Sequence, residues 1–163
     1  MNYLKKDWPL IFILIIGTTG SIWCLWDLIS NLEQFTWSLW RILGIVLIII
    51  GKVIEIWVRE ELKKKAKYSN WISTIELKIN RDHNLITNGL FKHVRHPLYS
   101  GYILRGLGLG LLSSSVYGSI LIFAALSFLI PRIQIEEDLL ISQFDDEYRE
   151  YQKTTKKLIP FIY

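Results

Sequence analysis

Residues 8–26 run for nineteen positions without a single charge. As a helix such a stretch rises about 28 Å, close to the ~30 Å hydrocarbon core of a bilayer. It reads as a first membrane helix that continues toward Ser30. Three further apolar runs follow. Residues 35–58 predict a second helix centred on the apolar block 42–51, residues 98–113 a third interrupted only by Arg105, and residues 116–131 a fourth. A short acidic turn at 27–33 joins the first pair. The link Ser113-Ser114-Ser115-Val116-Tyr117-Gly118 is so short that the last pair must form an antiparallel hairpin. The expected fold class is therefore an all-α integral membrane protein with about four transmembrane helices. Hydrophobic residues at 51% and 7 Trp agree with that class better than with a soluble domain.

The basic residues are unevenly spread. Ten Lys or Arg fall between Lys52 and Arg95, and none between Gly106 and Pro131. The two hairpin tips, 27–34 and 113–119, also carry none. Positive-inside counting places the N-terminus, the central segment and the C-terminus together in the cytoplasm. A nucleic-acid partner is not expected, because the positive charge flanks apolar helices and the aromatics lie mostly within them. The single Cys24 sits in an apolar run and excludes an intrachain disulfide. The first run is too long for a cleavable signal peptide and shows no small-residue cleavage site. Residues 1–67 read as a transmembrane hairpin with a charged helical extension. Residues 68–163 read as a second unit: a connector of short strands or turns, a membrane hairpin, and a C-terminal amphipathic helix.

The stretch Asn88-Gly89-Leu90-Phe91-Lys92-His93-Val94-Arg95-His96-Pro97-Leu98-Tyr99 meets the third apolar run at its start. Pro97 suits a first helical turn, and a helix N-terminus with rings and cations around it suits a polar or anionic ligand. An interfacial anchor would use the same residue types. After the fourth run, Arg132 and Glu136 stand four apart on one helix face, either as an ion pair or as groups holding an anion and a hydroxyl- or amine-bearing cofactor. Beyond them Ile135, Leu139, Leu140, Phe144, Tyr148 and Tyr151 mark one apolar stripe. Arg41, Lys52, Glu55 and Arg59 flank the second apolar block and read as snorkelling at the membrane edge rather than as a buried pair. Gly106, Gly108 and Gly110 lie inside an apolar helix with no preceding strand, which favours close helix packing over a nucleotide loop. The three histidines lack metal-site spacing, and no metal is expected.

Taken together, Thr87-Asn88-Gly89-Leu90-Phe91, Arg95-His96-Pro97-Leu98-Tyr99-Ser100-Gly101, an apolar hairpin, Glu136-Glu137, Glu147-Tyr148-Arg149-Glu150-Tyr151 and Ile159-Pro160-Phe161 resemble the isoprenylcysteine carboxyl methyltransferase family, within the wider phospholipid methyltransferases. The likeness covers roughly residues 75–163. It implies a membrane methyltransferase that uses S-adenosyl-L-methionine, held in a cytoplasmic pocket formed by the 68–97 segment and the C-terminal helix, with a lateral opening to lipid. Carried over by position, the cofactor contacts fall on Glu76, His83, Asn84, Leu85, Ile86, Phe91, His96, Pro97, Leu98, Tyr99 and Glu136. Arg132 matches the substrate-side arginine, and Arg132 and Tyr99 are the implied catalytic pair. Glu76 and Phe91 depart from the Gln and Tyr of the animal enzymes.

A carboxylate acceptor is already ionised near neutral pH and needs no general base. Methyl transfer to it requires in-line placement and exclusion of water. The expected partners are a lipophilic or prenylated acceptor and membrane lipids. Two other readings compete. A phospholipid amine N-methyltransferase would need a base, with His96 or Glu137 nearest. A small transporter or non-catalytic membrane protein would leave the 76–99 segment without a purpose.

Overall fold

The computed structural model describes residues 7–66 and 85–158. The described residues form six α-helices: α1 (Trp8–Ser30), α2 (Leu39–Ala66), α3 (Pro97–Ser113), α4 (Val116–Ser127), α5 (Leu129–Phe144) and α6 (Asp146–Thr154). Short 3-10 turns occupy Leu32–Gln34 and Gly89–Lys92. Of the connector expected to hold short strands or turns, residues 68–84 lie outside the described residues. Its described end is the 3-10 turn and an isolated bridge, Val94 with Lys156, and no strand occurs among the described residues.

Among the described residues, two helical stretches are long and apolar enough to cross a membrane, Trp8–Ser30 and Val116–Phe144. Along α1 only Pro9, Gly20 and Cys24 are buried, while Phe12, Ile15, Ile22, Trp26 and Ile29 are exposed. A helix apolar on every side with most of those sides uncovered suits lipid as its solvent. Two glycine seams hold the bundle. A Cβ on Gly108 would lie 2.5 Å from the Gly44 carbonyl oxygen, and one on Gly51 would lie 2.6 Å from that of Gly101, so α2 and α3 touch backbone to backbone. Gly20 meets Gly118 and Ile122 in the same way across α1 and α4. Of the glycines read as packing residues, Gly108 faces α2 while Gly106 and Gly110 face Ile122 and Ser119 of α4. Alternate positions on a helix point to different sides, and positions four apart share one.

The C-terminal half departs from the expected layout at two points. The chain bends at Phe128, because Pro131 has no N–H to offer the Ser127 carbonyl. The single amphipathic helix expected after Arg132 is instead two helices. Asp145 takes a positive φ of 42° after its N–H closes on the Ile141 carbonyl at 2.9 Å, and α6 starts afresh. That break turns Tyr148 and Tyr151 inward, where both are buried.

Residues 93–96 are stitched to residues 156–158 by main-chain bonds. Arg95 N–H donates to the Lys156 carbonyl at 2.7 Å, His96 N–H to that of Lys157 at 3.0 Å, and Lys156 N–H to that of His93 at 3.3 Å. The Ser100 hydroxyl adds a bond to the Leu158 carbonyl at 2.6 Å. The tail expected to fold back does so through Leu158, which packs near Tyr99, and residues 159–163 lie outside the described residues.

Candidate functional site

The site grows from the first turn of α3. Pro97 opens the helix, His96 precedes it, and Tyr99 points across to α5. The Tyr99 hydroxyl donates to Glu136 Oε2 at 2.8 Å and accepts from Arg132 Nε at 2.9 Å. One phenol therefore joins the two residues that the sequence placed four apart. The His96 ring stacks on Tyr99 with centroids 5.6 Å apart and an interplanar angle of 17°. Its nitrogens face the carboxylate pair, Nδ1 3.6 Å from Glu136 and Nε2 3.3 Å from Glu137.

Each of the two glutamates has a separate task. Glu137 is buried and tied by Arg95 at 2.7 Å, His96 at 3.3 Å and Lys157 at 3.5 Å. Arg95 also donates to the carbonyls of Thr155 at 2.5 Å and Gln152 at 3.3 Å, so it clamps α5 and the end of α6 to the start of α3. Glu136 is more open, with 30% of its side chain exposed, and its Oε1 accepts from no group among the described residues.

Arg132 is nearly enclosed at 3% exposure, and its Nη1 meets the carboxylate of Asp7. Burial raises the Asp7 carboxyl above its ordinary value, against the pull of Arg132. No local signal marks Asp7, which reaches the site across 125 positions of sequence. Arg95 and Glu137 lay within motifs the sequence singled out, yet neither was expected to be structural glue.

Of the other expected contacts, Pro97 is buried beside His96, and Leu98, Leu85, Ile86 and Phe91 are half-buried. The Phe91 carbonyl accepts from the Tyr151 hydroxyl at 2.5 Å, which ties the 3-10 turn to α6. Glu76, His83 and Asn84 lie outside the described residues. The Tyr148 hydroxyl is buried with no hydrogen-bond partner among the described residues, and burial drives its ionisation far above the ordinary phenol range.

The charges on α2 differ from the snorkelling expectation. Lys52 is 53% exposed, as a snorkelling side chain should be. Glu55 and Arg59 are buried and paired at 3.0 Å, and the Arg59 Nη2 donates to the Tyr102 hydroxyl at 3.0 Å.

A solved structure of a eukaryotic intramembrane Ras methyltransferase, isoprenylcysteine carboxyl methyltransferase, superposes with a TM-score of 0.69 at 24% identity, over 89% of this chain and 52% of that one. That likeness concerns the fold. The curated protein-S-isoprenylcysteine O-methyltransferase of Dictyostelium discoideum is 29% identical over 99% of this chain and 65% of its own length. The human protein of the same name is 29% identical over 81% of this chain and 44% of its own length. The chain thus spans about half to two thirds of these two relatives. The profile of the phospholipid methyltransferase family matches residues 39–147, which contain α2 to α5 with Arg95, His96, Tyr99, Arg132, Glu136 and Glu137, but neither Asp7 nor Tyr148, Tyr151 and the residues of the C-terminal clamp. The chain belongs to the phospholipid methyltransferase family.

Proposed function

We propose that this protein is an integral membrane methyltransferase that transfers the methyl group of S-adenosyl-L-methionine to the carboxylate of a lipophilic, isoprenylcysteine-like acceptor. One observation carries the reading: Arg132, joined through Tyr99 to Glu136, already holds a carboxylate, that of Asp7. A guanidinium that accepts one carboxylate beside a second, open carboxylate suits an anionic acceptor next to a cofactor with hydroxyl or amino groups. The names of the curated relatives support the same chemistry.

The residues fit the cofactor. Glu136 Oε1 is an acceptor with no donor among the described residues at a half-open position, as a ribose hydroxyl or an ammonium requires. Leu85, Ile86, Phe91 and the 96–99 turn would line the rest, with Glu76, His83 and Asn84 joining from the connector. When bound, the cofactor supplies an electrophilic methyl group on a sulfonium.

The chain's part is positional. Arg132 orients the acceptor carboxylate, and Tyr99 couples that orientation to Glu136 on the cofactor side. The apolar cluster of Tyr99, Leu129 and Ile133 keeps water away. The geometry favours a carboxylate over an amine acceptor. An amine needs a base, and Glu137 is committed to Arg95, His96 and Lys157, with His96 Nε2 turned onto Glu137. In this reading the chain crosses the membrane four times, with both termini and the cofactor pocket cytoplasmic.

Two measurements test the proposal. Label transferred from the cofactor should leave the product under mild alkali, as a methyl ester does; an alkali-stable product would identify an amine acceptor instead. Arg132→Met should lower kcat/KM for methyl transfer by about 100-fold or more, the range for removing one partner of a buried charge pair. Its affinity for S-adenosylhomocysteine should stay within a few-fold of wild type, and equal losses in both would reject the substrate-side role.

A further inference from the structure

The cations between α2 and α3 outnumber the carboxylate that holds them. Glu55 faces three: Arg59 on Oε1 at 3.0 Å, and on Oε2 both Lys52 at 3.4 Å and the Nη1 of Arg105. Glu55 and Arg59 are buried, whereas Lys52 is 53% and Arg105 41% exposed. The stem of Arg105 reaches Glu55 across Gly51, where a Cβ would meet its Cγ at 2.8 Å. Neither Lys52 nor Arg105 makes a further polar contact among the described residues. With Nη1 committed to Glu55, the Nε and Nη2 of Arg105 form one free edge, the fork that takes two oxygens of a single anion.

Depth decides which anion can meet that edge. Gly44 lies against Gly108 and Gly51 against Gly101, so α2 and α3 run antiparallel. Glu55, about one turn past Gly51, thus comes level with Pro97 at the head of α3. Lys52 and Arg105 are rooted deeper and reach up to it, as snorkelling cations do. Trp57 is exposed near the same level of α2, where an indole suits a bilayer surface. Below it, Ile49, Val53 and Ile56 share one exposed face of α2 with Lys52, an apolar strip that suits acyl chains.

We propose that Lys52 and Arg105 bind the phosphate of an anionic phospholipid of the inner leaflet, whose chains run along α2 and which is not the methyl acceptor. The surplus of positive charge favours such a headgroup over a zwitterionic one, whose ammonium it repels. The site is independent of the methyl-transfer reading and shares with it only the arrangement that puts the head of α3 at the cytoplasmic surface. Thiol labelling from the two sides of sealed vesicles reads that arrangement without any lipid titration, so the two failures stay apart.

The test is native mass spectrometry of the purified protein in detergent, without cofactor or acceptor. It is titrated with dioleoylphosphatidylglycerol and, in parallel, with dioleoylphosphatidylcholine. Wild type should bind one phosphatidylglycerol about tenfold more tightly than phosphatidylcholine, the gain expected of one hydrogen bond to a charged donor. Arg105→Gln and Lys52→Gln should each remove much of that preference, and Arg59 still holds Glu55 in both. Arg105→Lys, which keeps the charge and gives up the fork, should fall between wild type and Arg105→Gln. Lys63→Gln, at an exposed cation further along α2, should leave the preference as it is. Equal affinity for the two lipids in wild type overturns the proposal, and so does a preference that survives Lys52→Gln and Arg105→Gln together. Inorganic phosphate in excess should leave the lipid bound; displacement by it would make this a site for a soluble anion and overturn the lipid assignment.

Discussion

Tyr99 has a single hydroxyl, and that hydroxyl links a cation to an anion. Arg132 on the cation side faces the Asp7 carboxylate, which on the proposed reading an acceptor carboxylate would displace. Asp7→Asn removes that competitor, so the acceptor KM should fall about three- to tenfold, as when an occupied state is depopulated, with S-adenosylhomocysteine affinity unchanged. A rise in KM would instead make Asp7 a positioning group. The tyrosines of α6 set an alkaline limit. Burial pushes the Tyr151 hydroxyl up to about 12, and Tyr148 rises from the same cause. A folded value above the unfolded one, about 10, gives stability that is full below pH 10 and lost as pH climbs toward 12. Each such tyrosine should contribute a fall of about 1.4 kcal/mol per pH unit in that window. Denaturant unfolding between pH 9 and 12 should show the fall, and Tyr151→Phe should make it shallower.

The seams between helices make a sharper claim than any one contact within them. A Cβ at Gly108 would press on the Gly44 carbonyl oxygen at 2.5 Å and the Ile48 nitrogen at 2.9 Å, both of them backbone that cannot swing aside. At Gly17 the nearest atom is the Ala125 Cβ at an ordinary 3.5 Å. Gly108→Ala should therefore cost about 1–3 kcal/mol and Gly17→Ala little, read as thermal midpoints in detergent. The helices themselves were legible because uncharged runs of membrane length leave few alternatives. Their breaks were less so. The fourth apolar run reads through Pro131 although the bend falls at Phe128, and Asp145 is no residue type that demands a left-handed turn. Tyr99, Glu136 and Arg132, which the fold brings into contact, each lie in a motif that a short window of sequence makes legible. Asp7 and the Arg95 clamp were not, since their partners are distant in sequence and only the folded backbone brings them close.

At the level of the molecule, the two hairpin tips hold no cation and the remaining segments hold nearly all of them. Single cysteines at Ser114 and at Lys153, in a Cys24→Ser background, should react with an impermeant thiol reagent from opposite sides of sealed vesicles. Reaction from the same side would overturn the four-crossing arrangement. The glycine seams join the helices two by two, α2 to α3 and α1 to α4, with the turn between α3 and α4 connecting the pairs. Two leaves joined along one spine leave a free margin opposite it, and a groove lies there between α1 and the α3–α4 hairpin. On the proposed reading, a long apolar acceptor would enter sideways from the bilayer, its tail between the leaves and its carboxylate toward Arg132.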